Sequence, residues 1–200
     1  MFIKKAVLLL IIAVSISQAS FADQTIAARN NAYMHNNKGL VYLDQNYYFG
    51  AIKEFQMAID LNPDSQASAT FYINLGVTYD KLGYYELAKP CFEKALSLNA
   101  LCFDYYLRVA DNYKKLGIVE QKLIEFDNNK KSPLNEIMVG LLLVKKGKVN
   151  VAIMVLDDFC NKEPKLIITP SVLKYLSTLT GEPVKRKKKP FVGAMIITRH

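Results

Sequence analysis

The sequence predicts an all-α fold, a solenoid of about four helical hairpins that ends in a C-terminal capping helix. Two observations lead to this prediction. Apolar residues make up 51% of the 200-residue chain and charged residues 22%, which is typical of a folded globular protein. Small and aromatic residues also recur at fixed distances with helical spacing, which predicts the same pair of helices several times along the chain.

The repeat is clearest after Gly39 and Gly76. From each of these glycines, Tyr, Ala, Phe and Ala follow after 3, 12, 16 and 19 residues. These residues are Tyr42, Ala51, Phe55 and Ala58 in the first copy, and Tyr79, Ala88, Phe92 and Ala95 in the second. A weak third copy begins at Ala110, where Lys122 breaks the alanine position, and a fourth begins at Gly140.

The residue types at these offsets suit two helices packed against each other. A mid-helix glycine costs about 1 kcal/mol relative to alanine, and a close approach by a second helix can offset that cost. The alanines offer a matching small surface, and the Tyr and Phe side chains can fill the groove between the helices. Pro63 and Pro164 are expected to end their helices, and Gly83, Gly117 and Gly147 mark turns inside the later hairpins.

At these residues the chain resembles the tetratricopeptide repeat family, whose 34-residue unit is a helix–turn–helix with spaced Leu-Gly, Tyr, Ala, Phe and Pro. The resemblance covers about residues 32–164 and implies a right-handed superhelical solenoid. The predicted hairpins are about 32–65, 69–102, 103–132 and 133–166, followed by a cap at 169–180. Thr169 is predicted as the N-cap of this last helix, with Pro170 in its first turn and Gly181 as its end. Pro90 departs from the pattern, since it should kink its helix unless it lies in the first turn.

Residues 1–22 are predicted to be a signal peptide that precedes the helical domain, residues 23–181. Lys4 and Lys5 come before a nine-residue apolar run, and Ser20 and Ala22 have the small-x-small spacing of a cleavage site. We therefore expect an exported, periplasmic or secreted protein. The alternative is an uncleaved N-terminal anchor, although the apolar run is short for a membrane span of about 20 residues.

The net charge of +8 belongs largely to the two ends of the chain. Residues 23–181 carry 18 basic and 17 acidic residues, so the body of the protein is close to neutral. A nucleic-acid partner is therefore not expected for the body. The tail, residues 182–200, is basic and then apolar. Its basic residues Lys185, Arg186, Lys187, Lys188 and Lys189 are either a solvated linker or a site for an anionic membrane surface.

The sequence indicates no catalytic or metal site, so we expect neither an enzyme nor a cofactor. There is no phosphate-binding loop, no HExxH and no nucleophile with an evident base. His35 is interpreted as a packed or half-exposed residue rather than a ligand. The cysteines Cys91, Cys102 and Cys160 lack metal-ligand spacing and are interpreted as structural thiols.

The resemblance implies that the first helix of each hairpin lines a concave, partner-binding face. The positions carried over are Tyr33, Asn36, Asn37, Leu40, Thr70, Ile73, Asn74, Val77, Leu107, Arg108, Asp111 and Lys114. Amides among them can hold a peptide backbone while apolar residues take its side chains. The predicted function is a non-enzymatic, exported protein-interaction scaffold that binds a peptide segment or an envelope assembly partner on this face. The alternative is a secreted factor that acts through its basic tail at an anionic membrane or nucleic acid.

The first helix of the fourth hairpin, LNEIMVGLLLV, is apolar on nearly all sides. Such a helix is normally buried. We expect the Thr169–Thr180 helix or residues 191–198 to cover it. The alternative is that a second subunit docks there, through residues such as Leu141 and Val144.

Overall fold

The computed structural model describes residues 25–129 and 132–181, and within them the chain is all-α, a helical repeat solenoid without strands. The first helix, α1, covers residues 25–44. The others are α2 (Tyr48–Leu61), α3 (Ser68–Lys81), α4 (Tyr85–Leu98), α5 (Phe103–Lys115), α6 (Val119–Asn128), α7 (Asn135–Lys145), α8 (Val149–Lys162) and α9 (Thr169–Thr180). The predicted signal peptide and the tail lie outside the described residues.

Successive helices pair as predicted, and tight turns join the two helices of each hairpin. Gly83, Gly117 and Gly147 occupy these turns with φ values of 78°, 71° and 82°, a left-handed conformation that favours glycine. In the first hairpin Asn46 holds the same position with φ of 58°. The described part of α1 includes residues 25–31, upstream of the predicted start of the first hairpin at 32.

The repeat offsets correspond to direct packing between the two helices of a hairpin. A Cβ added to Gly39 would lie 2.5 Å from the ring of Phe55, and one added to Gly76 would lie 2.6 Å from the ring of Phe92. At Gly140 the same contact is made by Leu156, at 2.5 Å. The side chain that enters each glycine notch is therefore the one 16 residues later. The alanines at offset 12, which the sequence suggested as the matching surface, are fully buried beside it.

Helix ends follow the prolines, with one correction at α9. α2 and α8 end before Pro63 and Pro164, as predicted. Thr169, predicted as the N-cap of α9, is instead its first helical residue, and its hydroxyl donates to the carbonyl oxygen of Glu163 at 2.6 Å. The physical reason is that the hydroxyl closes the preceding loop rather than bonding to a free N–H of the first turn. α4 continues through Pro90, which lies beyond its first turn.

The apolar helix α7 is buried within the chain, as its composition predicts. Ile137, Met138 and Leu141 are fully buried and share one core with Val172 and Leu176 of α9. The predicted capping helix therefore contributes to covering α7. Docking of a second subunit at this face stays a prediction, and Leu141 itself is not accessible for it.

Candidate partner-binding site

The first helices of the hairpins, α1, α3 and α5, present most of the predicted partner-binding residues to solvent. We call this surface the first-helix face. Its exposed residues are Tyr33, Asn37, Leu40, Thr70, Arg108, Asp111 and Lys114, and its half-buried residues are Asn74, Val77 and Leu107. The other two predicted residues, Asn36 and Ile73, are buried and support the face from below.

Polar side chains join neighbouring helices of the first-helix face. The Nδ2 of Asn74 donates to the Oδ1 of Asn36 at 2.8 Å, which ties α3 to α1. The hydroxyls of Thr70 and Tyr105 lie 3.4 Å apart between α3 and α5. Because Asn36 is buried, its hydrogen bond holds the Asn74 amide in a fixed position. The amide is thus positioned before any partner arrives.

Ion pairs continue this connection towards the C-terminal end of the face. Lys115 of α5 contacts Asp80 of α3 at 2.5 Å, and Lys145 of α7 pairs with Asp111 of α5. Arg108 lies beside a small cavity of about 170 Å³ that Asp80, Asp111 and Lys115 also line. Within the described residues Arg108 is in no ion pair, since both carboxylates are engaged by lysines. Its guanidinium is exposed and available for a negatively charged group.

The first-helix face ends at α7. There the equivalent side chains Ile137, Met138 and Leu141 are buried in the core rather than exposed. Phe103 of α5 and Tyr175 of α9 contact each other with ring centroids 5.5 Å apart, so that α5 and α9 meet across α7. Sequence reasoning did not single out Tyr175, and nothing in its local pattern marks such a long-range contact. The open part of the face is therefore limited to α1, α3 and α5.

The titratable groups near α1 form a structural cluster rather than a reactive one. Glu54 of α2 is buried, with 7% of its side chain exposed, and contacts both His35 Nδ1 and Lys38 Nζ at 2.7 Å. The hydrogen bonds from His35 and then Lys38 lower the pKa of Glu54. His35 is thus part-buried and bonded to a carboxylate, as expected for a packing residue. In the part of the chain that the structure describes, no group of three or more His, Cys, Asp or Glu residues could hold a metal ion.

The cysteines have the surroundings of structural thiols. Cys91 and Cys160 are buried and Cys102 is half-buried. Burial raises the pKa of Cys91 to about 11, so its thiol is protonated at neutral pH. Among the described residues, no helix is both long enough and apolar enough to cross a membrane.

Comparison with known proteins identifies the repeat. A family model described as "Tetratricopeptide repeat" matches residues 32–65 and 69–100, the hairpins in which Gly39 and Gly76 receive Phe55 and Phe92. The first two hairpins are therefore tetratricopeptide repeats. The third and fourth tetratricopeptide-like hairpins, α5–α6 and α7–α8, extend beyond the matched residues.

Several proteins are similar to this tetratricopeptide repeat chain. The anaphase-promoting complex subunit CDC16 of Saccharomyces cerevisiae is 34% identical over 170 residues, covering 80% of this chain and 20% of that protein. This chain therefore spans about a fifth of the length of that relative. The Arabidopsis OM64 TPR domain is 17% identical with a TM-score of 0.45, covering 68% of this chain and 98% of that one. The MamA protein is 21% identical with a TM-score of 0.46, covering 70% and 76%.

Proposed function

We propose that this chain is an exported, non-enzymatic scaffold that binds a peptide segment of a partner protein on its first-helix face. The observation that carries the proposal is the accessibility of the side chains on that face in α1, α3 and α5. Its residues are exposed or half-buried, the half-buried Val77 and Leu107 among them pack against the core, and the buried Asn36 accepts a hydrogen bond from Asn74. Tetratricopeptide repeats build protein-interaction scaffolds, and the concave face of a helical solenoid is a common binding surface.

The chemistry of the face suits an extended peptide. Asn37 and Asn74 offer amide groups for a peptide backbone, while Tyr33, Leu40 and Val77 offer apolar surface for its side chains. Arg108, which has no carboxylate partner among the described residues, favours a peptide with an acidic group towards α5. The partner is therefore expected to combine apolar and acidic residues.

The decisive experiment compares two variants of the processed protein in a crosslinking pull-down from its own cell. The double variant L40D/R108A changes the first-helix face, whereas the control M154D/K53A makes the same kinds of change at exposed side chains on α8 and α2. We expect the wild type and the control to capture the same partner and the first-helix variant to lose it. Equal capture by both variants would show that the partner binds elsewhere.

Export is part of the proposal and is tested separately. The basic start, the apolar run and the spacing of Ser20 and Ala22 support cleavage after Ala22. Mass analysis of the protein from its own cell is expected to give a chain that begins at Asp23. A chain that retains residues 1–22 would instead support the membrane-anchored alternative.

A second proposal concerns the tail and is independent of the first-helix face. The basic residues at 185–189 lie outside the described residues, and their sequence supports attraction to anionic lipid headgroups. Binding to vesicles with anionic lipid should fall steeply with salt and vanish when these five residues are changed to glutamine. Retained binding in that variant would rule out the tail as the membrane contact.

A further inference from the structure

The third hairpin departs from the other three at α6. Ala51, Ala88 and Ala152 are fully buried at the alanine position of their hairpins, but the third hairpin has Lys122 there. α6 has ten residues, and none of them is buried. A lysine side chain is too large for the space that the alanines fill, so α6 cannot sit as closely on α5 as the other second helices sit on their partners.

Lys122 is nevertheless held in place. Only 14% of its side chain is exposed, and its Nζ lies 2.8 Å from a carboxylate oxygen of Glu125 and 3.8 Å from one of Glu93. The same Nζ lies 5.3 Å from the centre of the Tyr113 ring. The Tyr113 hydroxyl donates to Glu93 at 2.6 Å, and burial, together with Glu93, raises the pKa of Tyr113. The lysine is therefore part of an ordered polar cluster that joins α4, α5 and α6.

Beside this cluster lies an open cavity of about 410 Å³ that is lined by α4, α5, α6 and the residues that lead into α7. Its size is within the range of about 300–1,000 Å³ that is typical of ligand pockets. The apolar part of its wall includes Leu96, Tyr106 and Phe126, and the polar part includes Glu93, Lys122 and Glu125. Tyr106 and Tyr113 of α5, which also line the cavity, are buried and are not among the first-helix-face residues, so the cavity does not belong to that face.

The hydrogen-bonding groups around the cavity are mainly acceptors. The hydroxyls of Ser97 and Tyr106 donate to the carbonyl oxygens of Lys94 and Ala100, and the Tyr113 hydroxyl donates to Glu93. The donors of Lys122 are directed towards its two carboxylates. Glu93 and Glu125 keep further acceptor positions, with 38% and 56% of their side chains exposed. Among the described lining residues, these two carboxylates and the Lys122 ammonium sum to a charge of −1.

We propose that this cavity binds an organic cation with an apolar stem. The stem packs against Leu96, Tyr106 and Phe126, and an ammonium or guanidinium group donates to Glu93 and Glu125. Two sources have this chemistry, a free alkylamine and the Lys or Arg side chain of a partner segment. The site goes beyond the proposed peptide-binding function because none of its lining residues belongs to the first-helix face, and because its carboxylates favour a cation whereas Arg108 favours an anion.

The first test uses the full chain and three probes of one length, which are hexylammonium, hexanol and hexanoate. Calorimetric titration is expected to show hexylammonium binding at least tenfold more tightly than the other two. In the variant E93Q/E125Q the affinity for hexylammonium should fall to the affinity for hexanol, because the substitutions remove the charges of both carboxylates and keep the shape of the side chains. E86Q, which changes an exposed carboxylate of α4, is the matched control and should bind like the wild type.

A second variant tests the location of binding. Ser97 lines the cavity and is exposed, so S97W should fill the cavity and abolish hexylammonium binding. S171W places the same side chain at an exposed position of α9 and should have no effect. Equal binding of hexanol and hexylammonium, or binding that survives S97W in a protein with unchanged circular dichroism, would overturn the proposal.

The source of the cation is distinguished with two capped peptides, acetyl-Leu-Arg-Leu-amide and acetyl-Leu-Gln-Leu-amide. Tighter binding of the arginine peptide than of hexylammonium supports a partner segment, whereas tighter binding of hexylammonium supports a free amine. Failure of all the cations leaves the peptide-binding proposal intact, because L40D/R108A does not change this cavity. The two proposals can therefore fail separately.

Discussion

The glycine notch at Gly76 gives the sharpest test of how the hairpins are held together. On an isolated helix, changing glycine to alanine stabilises by about 1 kcal/mol. Here the new Cβ would lie 2.6 and 2.7 Å from two ring atoms of Phe92, which is itself almost fully buried. Overpacking of this kind costs about 1–3 kcal/mol. The repulsion exceeds the gain in helix propensity, so we expect G76A to lower the free energy of unfolding by about 1 kcal/mol.

A double-mutant cycle separates the two effects. F92A alone should destabilise by about 3–5 kcal/mol because it removes a large buried side chain. In that background the clash is absent, and adding G76A should stabilise by about 1 kcal/mol through helix propensity. The coupling between the two sites is then about 2 kcal/mol, measured by urea unfolding followed by circular dichroism at 222 nm. Additive effects of the two substitutions, with an unchanged slope against urea, would refute the notch as the origin of the glycine.

Three further predictions address the turns, the Glu54 cluster and the thiols. G83A should destabilise by about 1–2 kcal/mol although its new Cβ meets no atom within 4 Å, because φ is 78°; N46G at the equivalent turn should lose little in the same urea assay. The pKa of Glu54 is lower in the folded chain than its ordinary value of 4.5. Its contribution to the free energy of unfolding is therefore complete above pH 4.5 and is lost as the pH falls through the pKa of the folded state. Between pH 5 and pH 3 the melting temperature should therefore decline more in the wild type than in E54Q, and an equal decline in both proteins would contradict this. At pH 8 iodoacetamide should modify Cys102 faster than Cys91, because burial raises the pKa of Cys91 to about 11. Mass spectrometry of the native protein measures the two rates, and faster modification of Cys91 would contradict the prediction.

The offsets in the sequence predicted the hairpins because each offset encodes a contact between adjacent helices. Phe55 enters the notch of Gly39 in the same register as Phe92 enters that of Gly76, so a local pattern was sufficient. The turn at Asn46 was also within reach. It lies seven residues after Gly39, as Gly83 lies seven after Gly76, and asparagine tolerates the left-handed conformation that this position requires.

The features that the sequence did not predict depend on contacts outside one hairpin. Lys122 was visible as a break in the alanine position, but the cavity beside it also needs α4 and the ordered Glu93–Tyr113 pair. The contact between Phe103 and Tyr175 joins α5 to α9 and has no repeat partner. The predicted site residues lie on α1, α3 and α5, and the burial of Asn36 and Ile73 among them depends on the neighbouring helices.

The closure of the first-helix face at α7 determines the length of peptide that the face can bind. Three first helices remain open, and packed helix axes lie about 8–10 Å apart, so the open face is about 20 Å long. An extended strand rises about 3.3 Å per residue, which gives a bound segment of about six residues. If a captured partner peptide is shortened from either end, its affinity should therefore stay constant down to about six residues and then fall. Affinity that keeps rising in longer peptides would mean that Phe103 and Tyr175 separate to extend the face over α7. In that case Y175A, which removes the contact, should strengthen the binding of long peptides only.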